Sequence, residues 1–243
     1  MKLKDIFRME MYKNRNNKPY LLVIAILTVM AATSTFLGIS MEIRMPLGNF
    51  FTMLMIFTVL GVAVLSLLYP FHLLNVDYRN KVMSLIFASG ISREKYYFVK
   101  IGATILTCFI ATLVILFIPA ITYLVVYPEE FVKVMREFIE NFALLNIAPF
   151  VLKAIFALFA YFVTLTTAVI ITKGKVSGIF LFIGFYFAVS LFRSIVTLPF
   201  AYASVFSENY SVNSSFYVAT AFSIIQIVVF ALIGLAVLRK QDL

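Results

Sequence analysis

The residues of this chain that are equipped to bind a metal, relay a proton or attack a bond are few and scattered. The only histidine, His72, and the only cysteine, Cys108, stand far apart in the sequence. Metal ligation therefore has no cluster to use, and nucleophilic catalysis has no base partner by spacing. The acidic pair Glu129-Glu130 would suit metal-assisted proteolysis within a membrane if an arginine followed at position 134 and later segments supplied histidines. Position 134 is Val134, and no histidine follows. A Gly-x4-Gly-Lys-Ser/Thr phosphate loop is also missing from the sequence, so nucleotide chemistry by that route is not expected of this polypeptide. A single cysteine forms no intrachain disulfide, and Cys108, inside an apolar run, reads as a small buried side chain. What remains is charge at the margins of apolar segments, and the densest such margin runs from Asp77 to Lys100.

Those charges are positioned by long apolar runs. A bilayer's hydrocarbon core is about 30 Å thick and takes about 20 residues of helix to cross. Six runs meet that length, at Leu21–Ile39, Phe50–Leu74, Ile101–Tyr127, Pro149–Thr172, Val176–Pro199 and Phe216–Leu238. With 63% hydrophobic and 13% charged residues in 243, the chain has more apolar side chains than a soluble core of that size hides. The runs lack period-two alternation, which favours helices over a closed barrel. The expected fold class is an all-α polytopic membrane protein, a single transmembrane domain over 1–243. The charged start followed by a full-length run is expected to be retained rather than cleaved as a leader.

Lysine and arginine accumulate on the cytoplasmic side of short loops. Most of the 20 basic residues fall on one face, before the first run (Lys2, Lys4, Arg8, Lys13, Arg15, Lys18), after the second (Arg79, Lys81, Arg93, Lys95, Lys100), after the fourth (Lys173, Lys175) and after the sixth (Arg239, Lys240). Arg44, Lys133, Arg136 and Lys153 fall on the other. Both termini are therefore expected in the cytoplasm of a cell membrane. The net charge of +9 follows from topology rather than from a nucleic-acid surface. Residues 1–19 read as an interfacial amphipathic helix with Leu3, Ile6, Phe7 and Met11 on one face, interrupted from Asn14 to Pro19. Tyr20, Tyr69, Tyr96, Tyr97 and Tyr127 sit where aromatic rings anchor at interfaces. At 1.5 Å per residue, Arg193 falls about 26 Å beyond Val176 and His72 about 33 Å beyond Phe50, both near interfaces rather than at mid-membrane.

The loop after the second run reads as two helices meeting at a corner. Asp77 can cap a short helix carrying Val82, Met83, Leu85, Ile86 and Phe87. Gly90 can end it in the left-handed conformation, and Ser92 can cap the next helix with Glu94 in its first turn. That second helix would continue without a break into the third run. A short, partly apolar helix beneath a membrane domain suits a groove on a cytoplasmic partner or the lipid headgroups themselves.

The run Met83-Ser-Leu-Ile-Phe-Ala-Ser-Gly-Ile-Ser-Arg-Glu-Lys-Tyr-Tyr-Phe-Val-Lys-Ile101 resembles the loop after the second span in permease subunits of type-2 ABC exporters, small bacterial peptide-toxin exporters such as those of phenol-soluble modulins among them. The basic entry helix, the six spans and the closing Leu238-Arg-Lys-Gln-Asp-Leu243 are similar to that family's plan. The resemblance implies a coupling helix that contacts an ABC ATPase subunit through Arg79, Lys81, Met83, Ile86, Ser89, Gly90 and Arg93. It also implies a second permease copy, forming a homodimeric pathway, with ATP and Mg held on the partner subunit and no cofactor on this chain. The chain departs from the family in its outer face, where helices usually lie between spans five and six. Here Pro128 to Phe142, with Phe131, Met135, Phe138 and Phe142 at helical spacing, forms the expected outer amphipathic helix before the fourth run.

Faces containing Phe36, Met53, Phe57, Phe182, Phe185 and Phe192 would line a pathway for hydrophobic or amphipathic cargo, peptides first and drugs or lipids next. Ala31, Ala32, Ser34 and Gly184 would permit close helix approach at a dimer seam. The competing reading is an autonomous secondary transporter or channel. It would need mid-membrane carboxylates, an internal repeat or broken helices, none of which the sequence displays.

Overall fold

The computed structural model describes residues 3–40, 71–72, 76–78, 82–129, 132–133, 136, 139–140, 148–206 and 213–241. Among these the regular structure is helical throughout. The principal helices are α1 (Leu3–Arg15), α2 (Lys18–Ser40), α3 (Val82–Ala88), α4 (Arg93–Val126), α5 (Ala148–Ile171), α6 (Ser177–Phe206) and α7 (Asn213–Lys240). Five of them, α2, α4, α5, α6 and α7, are long and apolar enough to cross a membrane. They coincide with the first, third, fourth, fifth and sixth expected runs. The second run, Phe50–Leu74, lies outside the described residues except for Phe71 and His72, and the expected outer helix after Pro128 is described only in part.

The chain packs as two compact units. One comprises residues 2–69 and 102–145, and among its described parts α1 lies against α4 near Thr107. Asn14 donates from Nδ2 to the Thr107 hydroxyl at 2.9 Å, the Tyr20 hydroxyl donates to the Thr107 carbonyl at 2.9 Å, and the Phe7 ring comes closest to Gly102. The Thr107 hydroxyl donates in turn to the Ala103 carbonyl at 2.6 Å. The face of α1 that packs inward is therefore Ile6, Glu10 and Asn14, one turn apart. Of the apolar face expected for this helix, Ile6 is buried and Phe7 and Met11 are half-buried, while Leu3 is exposed; Glu10 and Asn14, which hydrophobic periodicity does not count, share the inward face with Ile6. The break before α2 is at Asn16–Asn17. Asn17 caps the new helix by accepting the Tyr20 amide on Oδ1 at 3.3 Å, while Pro19 sits in the first turn, where its missing N–H costs nothing.

The other unit, residues 70–101 and 146–243, is built around α5. Every side chain from Phe162 to Ile170 is buried, and α7 is its main neighbour, with α6 second. The α5–α7 seam is polar inside. Gln226 donates to the Thr164 hydroxyl at 3.0 Å, and the Thr167 hydroxyl donates to the Phe230 carbonyl at 2.9 Å. That leaves the Tyr97 hydroxyl, 3.1 Å from Thr167 Oγ1, as the donor in their contact. Gly234 makes this approach possible, since a Cβ there would fall 2.8 Å from Thr167 Oγ1 and 3.0 Å from the Tyr97 hydroxyl. Without a hydrophobic drive between helices in lipid, such hydrogen bonds and close backbones are what hold them together. Gly184 on α6, by contrast, meets open space.

The elbow of α3 and α4 and the end of α7

The elbow forms where turn chemistry places it. Ser89 and Gly90 close α3 by donating to the Leu85 and Phe87 carbonyls at 3.1 and 3.0 Å, and Gly90 adopts φ 83°, a conformation in which a side chain would be strained. Ser92 then opens α4. Its carbonyl accepts the Tyr96 amide at 3.1 Å and its Oγ the Lys95 amide at 3.4 Å. The corner is packed as well as capped, because the Phe87 ring stands edge-on to Tyr96 at 5.5 Å and the Arg93 guanidinium lies 5.4 Å from the Phe87 centroid.

Arg93 ties this corner to the end of α7. Its Nη1 lies 2.5, 2.7 and 3.0 Å from the carbonyl oxygens of Leu238, Arg239 and Gln241. Those are the acceptors that a helix end leaves without intrahelical partners, and the end of the helix dipole favours a cation there. Arg239 reaches back to Glu94 in an exposed ion pair. Gln241 is buried and makes two further ties. Its Nε2 donates to the Ile170 carbonyl of α5 at 2.7 Å, and its Oε1 accepts from the Tyr78 hydroxyl at 2.9 Å. Burial pushes the Tyr78 hydroxyl well above its ordinary titration range, with the Gln241 bond a smaller opposing influence, so the phenol remains a donor.

Beneath the corner lies a buried charge pair. Asp77 Oδ2 accepts from Lys100 Nζ at 2.6 Å and from the Tyr96 hydroxyl at 2.9 Å, with Asp77 and Lys100 almost fully enclosed. Desolvating two ions costs several kcal/mol each, so the pair is favourable only because its geometry is short and the carboxylate has a second donor. Asp77, assigned to a helix cap by the sequence, thus has its carboxylate turned toward α4.

Of the residues implied to contact an ATPase, Arg79 and Lys81 lie outside the described residues. Met83 and Ile86 are buried within their own unit, Arg93 is turned toward α7, and Ser89 and Gly90 are exposed. Leu85, 69% exposed, and Ala88 complete the outward surface of α3 and were not singled out by sequence. Tyr78, Tyr96, Lys100 and Gln241 were likewise missed as parts of this site. The available signal was a lysine at the edge of an apolar run, which calls for a partner. Of the suggested pathway residues, Met53 and Phe57 lie outside the described residues. Phe182 is buried, edge-on to Tyr161 at 5.1 Å, and Phe185 packs on Phe230 at 5.2 Å, whereas Phe36 and Phe192 are exposed. Among the described residues no group of three His, Cys, Asp or Glu is placed to hold a metal.

A helical chain with five membrane-length apolar helices is a multi-pass membrane protein in class. No protein-family model, curated protein or solved structure matches it.

Proposed function

We propose that this chain is the membrane subunit of an ATP-driven exporter, working as a pair of copies and energised by a separate ATPase that binds the α3–α4 elbow. One observation carries the reading. A seven-residue helix stands at the head of a 34-residue membrane-length helix, packed on it by the Phe87 ring against Tyr96 and Arg93, and Arg93 locks that corner to the end of α7 through the carbonyls there. A surface that only rests on lipid has no use for such locking. A surface that must pass a partner's movement into membrane helices does. In this reading the elbow and both termini face the cytoplasm, α1 lies along the inner leaflet, and the exposed Leu85, Ala88, Ser89 and Gly90 meet the ATPase. Met83, Ile86 and Arg93 act from behind, by holding α3 in place. The cargo is hydrophobic or amphipathic, peptides being the first class to test.

The test is affinity purification of the tagged chain from its native membranes, wild type against Leu85→Glu, followed by ATPase assay and identification of co-purifying P-loop proteins. The substitution is on an exposed side chain, so the variant should reach the membrane at the wild-type level and elute as sharply. An ATPase that accompanies the wild type and is depleted from the variant supports the reading. Absence of any ATPase from both well-folded samples would move the assignment to an autonomous transporter or channel.

A further inference from the structure

The turn joining α5 to α6 and the last turn of α7 form one basic corner. Its geometry is fixed by a shared acceptor, because the Ile170 carbonyl takes both the Lys173 amide at 3.1 Å and the Gln241 side chain at 2.7 Å. Lys173 and Gly174 reverse the chain with φ of 52° and 73°, leaving Lys173 and Lys175 exposed. Arg239 and Lys240, immediately before Gln241, are also exposed. The acid described beside them is Glu94, already engaged by Arg239, while Asp242 lies outside the described residues.

Two features decide what such a corner binds. The first is depth. Helices α5, α6 and α7 have 24, 30 and 28 residues. At 1.5 Å per residue they are all longer than the roughly 30 Å hydrocarbon core, so their joined ends reach headgroup level. The second is what lies next to the charges. Val176, Phe180, Ile183 and Phe187 follow Lys175 at helical spacing of 4, 3 and 4 along α6, and all are exposed, Val176 by 63% and Phe180 by 72%. A cationic cluster at one end of an apolar ridge matches an anion attached to an acyl chain, not a free anion and not an acidic protein surface.

We propose that this corner is a binding site for an anionic phospholipid, whose headgroup phosphate is held by Lys173 and Lys175 with Lys240 beside them, and whose acyl chain lies along Val176, Phe180, Ile183 and Phe187. The site is independent of the exporter reading, since it requires only that the helices span a bilayer.

The chain contains no tryptophan, so Phe180→Trp supplies a single tryptophan on the ridge, excited apart from the tyrosines. The protein is reconstituted in phosphatidylcholine, and acyl-brominated phosphatidylglycerol or acyl-brominated phosphatidylcholine is titrated in as quencher. Each basic residue near an anionic headgroup favours it enough that two lysines should give roughly a thirtyfold preference for the anionic quencher. Adding Lys173→Asn and Lys175→Gln, with asparagine chosen because it tolerates the left-handed backbone, should bring that preference near unity. Quenching by phosphatidylcholine should stay unchanged, which also reports that the fold is intact. Equal quenching by the two lipids in the Phe180→Trp protein would overturn the site, as would a preference that survives loss of both lysines. Displacement of the brominated anionic lipid by millimolar inorganic phosphate would reassign the corner to a free anion. Loss of ATPase co-purification in the lysine variant, with lipid preference retained, would make it a protein contact.

Discussion

Helices α5 and α6 are consecutive, similar in length and comparably apolar, yet α5 is buried on all sides over Phe162 to Ile170 while α6 turns most of its surface outward. The difference lies in a few polar atoms. Thr164 and Thr167 of α5 bond across to α7, whereas α6 presents Phe180, Phe187 and Phe192 to its surroundings. In a membrane, hydrophobicity says that a helix spans but not whether it stands at the centre of the packing. The residues that would lower a helix's score for crossing lipid are those that draw it into the protein.

The comparison is broken most severely by removing one member of a buried polar tie. Lys100→Met leaves Asp77 enclosed with Tyr96 but without its cation, and should cost about 3–5 kcal/mol of stability, read as loss of monodisperse protein in detergent on heating. Asp77→Leu combined with Lys100→Met should recover most of that loss. A double variant as unstable as the single one would mean that the pair's partners, not its charge balance, hold the elbow. Next in size is Gly234→Val, which forces atoms into a space already 2.8 Å from Thr167 and should cost about 1–3 kcal/mol. Gly184→Val on α6, facing open space, should be tolerated, and equal thermal shifts from the two would remove the distinction between the helices. Smaller again is Thr167→Val, which takes away the acceptor of Tyr97 and the donor to Phe230, for about 1 kcal/mol. Ser190→Ala on the exposed side of α6 should shift the melting temperature negligibly.

Much of this was legible in sequence because it depends on local chemistry. Run length placed α2, α5 and α7 within three residues of their observed ends, while α4 begins eight residues before the expected Ile101 and α6 runs seven past the expected Pro199; the signals at Gly90 and Ser92 located the corner. The ties that fix the corner were not legible, because their partners are distant in the chain. Arg93 meets carbonyls 145 to 148 residues away, and nothing at Arg93 itself distinguishes a side chain that caps a remote helix from one that faces a partner. On α1 the apolar spacing named Ile6, which is buried, but gave no sign that Glu10 and Asn14 share its inward face, since both count as polar in any periodicity.

A last effect, of the same size as that of Thr167→Val, bears on whether the tail of α7 is held by polar bonds as α5 is, or merely rests nearby. Tyr78 donates to Gln241, and burial holds its proton more tightly in the folded chain than the ordinary value of 10.0. A raised folded value favours the protonated form, so its contribution is complete below about pH 10 and declines as pH rises beyond that. Tyr78→Phe should cost about 1 kcal/mol near neutral pH through the lost bond. It should also flatten the alkaline fall in stability, because the variant has no proton to lose at that position. Other tyrosines and lysines titrate in the same range, so the informative quantity is the difference between wild type and variant, followed as melting temperature from pH 8 upward. The two curves should converge with rising pH. Curves that stay parallel past pH 10 would show that Tyr78 does not hold the tail, leaving Arg93 and the Gln241 bond to Ile170 as its anchors.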